Sequence, residues 1–430
     1  MKIYNWEKQL SQIAPQVYSP YDGSGTQRIF FRSAKGCYLY GEDDKDYIDF
    51  VNGKGSVMIG HNADVVNQAI IRMLQENKSN YTGPNELIVT LTEQIQRGVQ
   101  INQPKIAFYG TGTAACRAAV GAARAATGKK IILSAGYHGW DPMWDIWDKE
   151  LLEINDEKMI NFFFIPELLE KIIANHKNDI ALLIISPDYT YIKKETLLQI
   201  IEMCHIYNII VCCDDVKQGF RYRYGSSLEQ ITNKSIDMYT FSKGLANGHR
   251  ISCLIGRADI MQNTKYYTFT SFYDMVSITA ASATLKFMEN QCVYEKIIKQ
   301  GTNLLKLLKN ICKDSKLPIE VNGSGPVFHF VFGTDELQNA FYREAVSHGI
   351  CFYEGDNQCL SWSFNDTVLK EFIRRFTETI ETLINNFHRL KNTNVTIERT
   401  FLSAWNMIDG ATDTLPIEQR ITLINKYNLK

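Results

Sequence analysis

The sequence carries almost no net charge. Its 46 Lys and Arg residues nearly balance 47 Asp and Glu residues, which gives a formal net charge of -1 at pH 7. A chain with this balance produces no extended electrostatic field that would attract nucleic acid or an anionic membrane surface. We therefore expect neither of these partners.

Long apolar runs and paired cysteines are also missing. No stretch approaches the roughly 20 apolar residues that a membrane-spanning helix needs, and the first seven residues lack the apolar core of a signal peptide. The ten cysteines include no CxxC pair, and Cys212 and Cys213 lie inside an apolar run. This usage is typical of reduced thiols rather than of disulfides or a zinc site. We expect a soluble, cytoplasmic protein without a metal.

The apolar content is high enough for a large core. With 430 residues and 45% apolar side chains, the chain is expected to form two or three domains. Between about residues 105 and 260, short apolar runs alternate with helical segments, which predicts an α/β domain with a mostly parallel sheet between helices. The predicted strands are 106–109, 130–133, 180–185, 209–213, 238–241 and 252–255.

The flanking segments predict a second, smaller α+β domain built from both ends of the chain. A hairpin of strands at 37–40 and 47–50 follows a turn-rich arm. Helical periodicity is found at 297–312, 335–348 and 366–389. We divide the chain into arm and hairpin (1–60), large domain (61–290), small domain (291–390) and C-terminal extension (391–430). The extension has too little periodicity for a structural prediction.

A glycine-rich segment, residues 110–115 with the sequence GTGTAA, follows the first predicted strand and opens an alanine-rich helix. Amides at a helix N-terminus, together with the Thr111 and Thr113 hydroxyls, suit a phosphate group. The same letters match the dinucleotide motif of a nucleotide-dependent oxidoreductase, which stays an alternative. That motif needs an acid at the end of the next strand, but residues 133–137 read LSAGY. A bare phosphate site is therefore favoured.

Three further segments place reactive side chains after predicted strands. Tyr137 and His138 follow one strand, Asp214 and Asp215 end another, and Lys243 ends a third. Because α/β proteins bind ligands at the carboxyl ends of their strands, these groups are expected at one edge of the sheet. A lysine can form an imine with a carbonyl cofactor, an aromatic ring can stack on it, and a carboxylate can keep a pyridine nitrogen protonated. Pyridoxal phosphate (PLP) needs all three and a phosphate site.

Taken together, these segments resemble the class III aminotransferases, and among them the glutamate-1-semialdehyde aminomutases. The similarity reaches to about residue 385 and rests on residues 47–53, 60–61, 110–113, 136–139, 214–221 and 242–248. It implies fold type I and PLP as the cofactor. It also implies an amine donor and a carbonyl acceptor as substrates, and a homodimer with active sites at the subunit boundary.

The resemblance also implies a role for each matching position. Lys243 would form the imine with PLP and later move a proton, and Asp214 would pair with the pyridine nitrogen. Tyr137 and Val216 would cover the two faces of the ring, and Lys243, Asp214 and Tyr137 are the predicted catalytic residues. The remaining cofactor-binding positions would be Thr111, Gly112, Thr113, His138 and Thr270, the last reaching the phosphate of the neighbouring subunit.

The chain departs from the family at the substrate end. The arginine that aminomutases carry in the arm has no counterpart near residues 19–22, and the glycine-proline run after the lysine reads NGHR at 247–250. Candidate anchors for a substrate carboxylate or phosphate are therefore Lys54, Arg250, Arg28 and Arg32. We expect an aminotransferase of specialised biosynthesis. The alternatives are a 1,2-aminomutase, a racemase or epimerase, and a non-catalytic binding protein.

Overall fold

The computed structural model describes residues 29–79, 83–139, 141, 143–144, 158–233, 235–270, 272–406 and 416–426. Within these residues the strands form three sheets, one of seven strands, one of four and one of three. The seven-stranded sheet is built from the middle of the chain, and the two smaller sheets are built from its flanks. Arg28, one of the candidate substrate anchors, lies outside the described residues.

The elements are numbered in chain order. The strands are β1 (Phe31–Lys35), β2 (Tyr38–Gly41), β3 (Asp46–Asp49), β4 (Lys105–Tyr109), β5 (Ile131–Ala135), β6 (Met159–Asn161), β7 (Ile180–Ile185), β8 (Ile210–Asp214), β9 (Met238–Phe241), β10 (Ser252–Gly256), β11 (Ile319–Gly323), β12 (Val327–Phe332), β13 (Ile350–Cys351) and β14 (Gln358–Cys359). The helices are α1 (Asp64–Gln75), α2 (Glu86–Gln96), α3 (Gly112–Thr127), α4 (Pro166–His176), α5 (Lys194–Ile206), α6 (Ala258–Met261), α7 (Met275–Asn290), α8 (Val293–Ser315), α9 (Asp335–Ser347), α10 (Asp366–Asn386), α11 (Ile397–Asn406) and α12 (Ile417–Lys426). Single helical turns lie at Asn52–Gly55, Leu228–Gln230, Lys243–Ala246, Gln262–Thr264 and His388–Leu390.

The seven-stranded sheet has the order β4-β10-β9-β8-β7-β5-β6. β10 runs antiparallel to both β4 and β9, and the other pairs are parallel, which confirms the predicted mostly parallel sheet. Every residue of β5, β7, β9 and β10 is buried. This is expected of strands that helices cover on both faces. The short edge strand β6 was not predicted.

The ends of two strands, β5 and β8, determine the geometry of the candidate site. β5 continues through Ala135, so the chain leaves the sheet at Gly136, immediately before Tyr137. β8 includes Asp214 as its last residue, and Asp214 pairs in register with Thr240 of β9. The structure therefore places the Asp214 side chain at the carboxyl edge of the sheet.

The N-terminal hairpin is larger than predicted and belongs to the smaller α+β part. β1 adds a third strand beside β2, so the segment directly before the predicted hairpin is a strand and not part of a turn-rich arm. The polar residues of β1 face outward and give no apolar run. β3 pairs in parallel with β13, where Ile48 lies opposite Ile350. The N- and C-terminal segments thus share one sheet, as expected.

Aromatic side chains form the core of this smaller part. Phe50 lies 4.7 Å from Phe372 and 5.6 Å from Phe328, measured between ring centroids. Phe330 lies 4.8 Å from Phe341 in the same way. Because β12, α9, α10 and the residue that follows β3 all contribute rings, burial of these large apolar surfaces holds the flanking segments together. The predicted apolar stripe of α10 is buried.

The C-terminal extension contains two helices that the sequence did not predict. α11 packs against β12, and its Phe401 is fully buried beside Phe163 and Ile165 of the large domain. Ile417 and Leu423 of α12 pack around the same cluster. Among the described residues, none of the helices combines the length and apolar character needed to cross a membrane.

Candidate active site

Asp214 is the centre of a buried hydrogen-bond network. It is 1% exposed, and its Oδ2 lies 2.7 Å from His138 Nδ1 and accepts a hydrogen bond from Cys116 Sγ at 3.3 Å. Its Oδ1 accepts hydrogen bonds from Thr240 Oγ1 at 3.0 Å and from the Val216 amide at 3.1 Å. Four donors therefore fix the orientation of this carboxylate.

His138 joins Asp214 from the loop after β5. A carboxylate can only accept, so His138 Nδ1 is the donor in their hydrogen bond. The other ring nitrogen, Nε2, is buried and has no hydrogen-bond partner among the described residues. The Trp144 ring lies 4.8 Å away, between centroids. His138 thus acts on the site through the carboxylate that it orients.

Cys116 and Thr240 are members of the network that sequence reasoning missed. Cys116 lies four residues after Gly112 on α3, so helical spacing alone places it on the same face. Thr240 is the register partner of Asp214 on β9. Burial, with a smaller effect from the Asp214 charge, raises the pKa of the Cys116 thiol well above its usual range. The thiol therefore stays protonated and donates.

The same three side chains could in principle hold a cation. One ligand atom from each of Cys116, His138 and Asp214 lies within 4.8 Å of the others. Metal binding to cysteine requires the thiolate, and the raised pKa of Cys116 disfavours that form. The network is therefore better described as a set of donors around a carboxylate.

The glycine-rich segment forms a close-packed cradle beside Asp214. Thr111 caps α3 and accepts a hydrogen bond from a backbone amide of the first turn at 3.2 Å. A Cβ on Gly112 would lie 2.8 Å from both methyl carbons of Val216. A Cβ on Gly139, which has a φ of +103°, would lie 2.0 Å from Thr113 Oγ1. Only glycine fits at these two positions. The glycine-rich segment, the loop after β5 and the loop after β8 therefore meet closely at the N-terminus of α3.

Lys243 opens the turn that follows β9. It is partly buried and has a φ of +42°, a left-handed conformation that is uncommon outside glycine. Asn247, at the end of the turn, accepts a hydrogen bond from the Ile59 amide and donates one to the Gly60 carbonyl, both at 2.9 Å. These two bonds hold the Lys243 turn against the segment that precedes α1.

The segment that follows β3 contains a left-handed turn at residues 52–55. All four of its residues have positive φ, namely Asn52 (+47°), Gly53 (+58°), Lys54 (+57°) and Gly55 (+80°). A non-glycine residue in this conformation costs about 1 to 2 kcal/mol. The Asn52 side-chain amide offsets part of this cost by donating to the Cys359 carbonyl at 2.7 Å.

Lys54 projects from this turn and is half-buried. Its Nζ lies 5.9 Å from the centroid of the Tyr353 ring. Burial lowers the pKa of Lys54, and the charge of Asp356 opposes that shift. The next residue, Gly55, accepts a hydrogen bond from the fully buried Arg221 at 2.6 Å. The turn therefore packs against the loop that follows Asp214, and the residues after it, 56–60, pack against the Lys243 segment.

The other predicted residues are more scattered. Tyr137 is partly buried and directly precedes His138. Arg250 lies beside the glycine-rich segment, since a Cβ on Gly110 would be 3.4 Å from its Nε. Thr270 is exposed and follows Phe269, whose ring stacks on Tyr109. Arg32 lies on β1 and forms an ion pair with Asp44 of the same hairpin at 2.5 Å. The structure therefore shows no contact between Arg32 and the Asp214 network.

This arrangement can be compared with known proteins. The sequence model of the family described as aminotransferase class-III matches residues 21–142 and 148–384. The chain belongs to the class III aminotransferases. The match ends before the C-terminal extension, so α11 and α12 lie outside the part that defines this family.

Relatives of this class III aminotransferase include enzymes of two kinds. The chain is 28% identical over 345 residues to 2'-deamino-2'-hydroxyneamine transaminase of Streptomyces kanamyceticus, covering 78% of this chain and 86% of that protein. It is 26% identical over 357 residues to glutamate-1-semialdehyde 2,1-aminomutase of Legionella pneumophila (strain Paris), covering 77% and 83%. A transaminase structure with PLP bound superposes with a TM-score of 0.80 at 20% identity, covering 89% of this chain and 97% of that chain.

These comparisons confirm several predictions from the sequence. The protein is a class III, fold type I aminotransferase, and its cofactor is PLP. The side chains present are compatible with that cofactor. A donor-rich buried carboxylate suits a protonated ring nitrogen, and the cradle at Gly112 suits a phosphate. The oxidoreductase alternative finds no support in the family match.

Proposed function

We propose that this aminotransferase moves an amino group between a small amine donor and a small carbonyl acceptor, with Lys243 as the lysine that carries PLP. The observation that carries the proposal is the Asp214 network. A buried carboxylate held by four donors, next to a cradle at Gly112 and a lysine turn after the adjacent strand β9, matches three of the four needs of PLP.

Each residue of the site has a part in this proposal. Asp214 would hold the ring nitrogen protonated, and His138 would keep Asp214 in position. Thr111, Gly112 and Thr113 would bind the phosphate through the N-terminus of α3. Tyr137 and Val216 would pack against opposite ring faces. When bound, PLP supplies an electron sink for the negative charge that develops on the substrate carbon.

Lys243 would also act as the acid–base group. Its Nζ would accept the proton that leaves the substrate carbon and would later return it to the reacting group. General acid–base catalysis of this kind contributes typically 10² to 10⁴-fold in rate, provided that the group is held in place. The bonds from Asn247 to Ile59 and Gly60 provide that restraint.

The substrate that we propose carries an anionic group, a carboxylate or a phosphate. Of the candidate anchors, Lys54 lies on a turn that contacts the loop after Asp214 through Gly55, and the residues that follow this turn contact the Lys243 segment. Arg250 lies nearer the glycine-rich segment, and Arg32 is paired with Asp44. Water screens a half-buried ammonium group less than an exposed one, so the group attracts an anion more strongly.

We also propose that two copies share their active sites. Three aromatic residues in the segment before Thr270 are exposed: Tyr266 (82%), Tyr267 (42%) and Phe269 (37%). Large apolar side chains clustered on a surface are typical of protein–protein contacts. In a homodimer, this segment would place Thr270 at the phosphate site of the partner. Light scattering coupled to gel filtration tests this prediction, and a monomer would contradict it.

A half-reaction screen tests the proposed function. Amine donors are added one at a time to the PLP-loaded protein while its absorbance is followed, and carbonyl acceptors are then added to restore the spectrum. We expect ω-amino acids to change the spectrum at lower concentrations than alkylamines of equal length. A PLP-loaded protein that no donor changes would contradict the proposal. An isomerised product formed without a carbonyl acceptor would identify an aminomutase.

A further inference from the structure

The C-terminal extension contacts the smaller α+β part of the molecule through a serine of α11. Ser403, on α11, lies with its Oγ 2.6 Å from Nε2 of His329 on β12. α11 is held there by Phe401, which is fully buried with Phe163 and Ile165. The family match ends at residue 384. The contact between Ser403 and His329 therefore comes from a part of the chain that the family model does not include.

The protonation of His329 follows from its partners. The ring is completely buried, and its Nδ1 lies 2.9 Å from the Asp356 carbonyl oxygen. Because a carbonyl only accepts, Nδ1 carries the hydrogen, and Nε2 accepts from the Ser403 hydroxyl. Burial lowers the pKa of His329 to about 4, so the ring is neutral near pH 7. The neutral tautomer of His329 with its hydrogen on Nδ1 therefore hydrogen-bonds both the Ser403 hydroxyl and the Asp356 carbonyl.

Asp356 belongs to the loop between β13 and β14, residues 352–357. Gln358 also donates to the Asp356 carbonyl at 2.8 Å and to the Tyr353 carbonyl at 2.6 Å, which fastens the loop internally. The Asp356 carboxylate lies 3.2 Å from Lys217 Nζ, and both side chains are mostly buried. Lys217 directly follows Val216, which contacts the cradle at Gly112. The β13–β14 loop therefore borders the cofactor site.

The same loop also meets the proposed substrate anchor. Tyr353, at its beginning, lies beneath Lys54 at 5.9 Å. The two cations reach the loop from different segments, Lys54 from the left-handed turn and Lys217 from the loop after β8. A shift of the β13–β14 loop would move the partners of both cations together.

We propose that Ser403 and His329 are positioning residues that set how this enzyme binds the anionic part of its substrate. The extension orients His329, His329 holds the β13–β14 loop, and the loop holds Lys54 and Lys217. This inference rests on the proposed function, because it takes Lys54 as a substrate contact. The expected effect is on substrate binding, because neither Ser403 nor His329 touches the Asp214 network or the Gly112 cradle.

Ser403→Ala is the direct test. Alanine is the stronger helix former, so the change does not weaken α11 through helix propensity. We expect KM for the best anionic donor to rise roughly threefold to tenfold, the usual effect of losing one hydrogen bond, with kcat and PLP affinity unchanged. Ser403→Thr keeps the hydroxyl and should restore the parent KM. Ser347→Ala, at an exposed serine on α9, serves as the control.

His329 offers a second pair of variants. In asparagine the amide nitrogen can take the position of Nδ1 and still donate to Asp356. In glutamine the amide takes the position of Nε2 and leaves the Asp356 carbonyl without this donor. We expect His329→Asn, which loses only the Ser403 contact, to raise KM no more than Ser403→Ala does, and His329→Gln, which loses the bond to the loop, to raise it further. Equal KM values for these two variants would contradict the proposal.

Hydrogen–deuterium exchange of the protein without substrate gives a readout that does not depend on turnover. Ser403→Ala should accelerate exchange in peptides that cover residues 352–357 and leave peptides of α3 unchanged. Unchanged exchange overturns the proposal, and so does faster exchange with an unchanged KM, since the contact would then serve packing alone. A failure of the proposed function shows itself differently, as a parent protein whose PLP no donor can discharge.

Discussion

Gly112 and Val216 lie in direct contact, although they follow β4 and β8, which β10 and β9 separate in the sheet. A methyl group on Gly112 would lie 2.8 Å from both Cγ atoms of Val216. Gly112 begins α3, and Val216 follows Asp214 by two residues. The contact therefore fixes the spacing between the proposed phosphate site and the proposed floor of the ring site.

This contact predicts the effect of enlarging Gly112. Gly112→Ala should weaken PLP binding about tenfold to a hundredfold, because overpacking a close contact costs about 1 to 3 kcal/mol. A fluorescence titration with PLP measures the dissociation constant. Adding Val216→Ala to the same chain removes the clash and should recover most of the affinity. An unchanged dissociation constant in Gly112→Ala would show that the cradle does not hold the cofactor.

Much of the central sheet was predictable from the sequence for a physical reason. Strands buried on both faces are uniformly apolar, and the predicted bounds 180–185 and 238–241 coincide with β7 and β9. The edge strand β6 has three half-buried residues and gives no such signal. The polar strand β1 was missed for the same reason.

The site was predictable only where its residues follow strands directly. Asp214 and Lys243 could be proposed because each ends an apolar run. The contact of Cys116 with Asp214 depends on how α3 packs against the sheet, which no local pattern encodes. Likewise, Ser403 and His329 are 74 residues apart and meet only after the extension has packed. Sequence spacing therefore found the strand-end groups and missed the contacts made by packing.

The two adjacent acids are expected to differ in function. Asp215 is turned toward Ser227, whose amide and hydroxyl donate to it at 2.8 Å and 2.5 Å, and burial raises its pKa to about 6. Asp214→Asn should lower kcat by about a hundredfold or more, since it removes the charge that keeps the ring nitrogen protonated. Asp215→Asn should leave kcat within about threefold of the parent. Steady-state kinetics on both variants measure these effects. Equal losses of kcat would contradict the assignment of Asp214 to the ring nitrogen.

Lys54 is expected to affect anionic substrates selectively. Lys54→Met keeps the length of the side chain and removes its charge, so KM for an ω-amino acid donor should rise about tenfold or more. KM for an alkylamine of equal length should not rise. Arg32→Met is the matched control, because Arg32 is paired with Asp44 on the hairpin. A parallel rise for both kinds of donor would show that Lys54 does not recognise the anionic group.

The burial of His329 predicts a specific dependence of stability on pH. Its folded-state pKa of about 4 lies below its usual value of 6.5, because burial outweighs the opposing effects of Asp356 and Asp188, while Lys217 lowers it further. Between about pH 4 and pH 6.5, the unfolded chain therefore binds more protons at this residue than the folded chain does. Stability from this residue is complete above about pH 6.5 and is lost as the pH falls toward about 4, by up to about 3 kcal/mol.

His329→Asn removes this dependence, so the difference in unfolding free energy between variant and parent should shrink as the pH falls from about 7 to about 4.5. Denaturant titrations at both pH values measure it. Asp215 acts in the opposite direction, since its raised pKa makes stability fall as the pH rises from 3.8 to about 6. Because both proteins contain Asp215, its effect cancels in the comparison. A difference that does not vary with pH would contradict the prediction.

The central claim is that Lys243 carries the cofactor, and chemical trapping tests it most directly. The protein is loaded with PLP, reduced with borohydride so that the lysine adduct becomes permanent, digested and analysed by mass spectrometry. We predict a PLP-derived mass on the peptide that contains Lys243 and its loss in Lys243→Ala, with Lys286→Ala, at an exposed lysine of α7, labelled like the parent. A label on a different lysine, or an equal label in Lys243→Ala, would contradict the account.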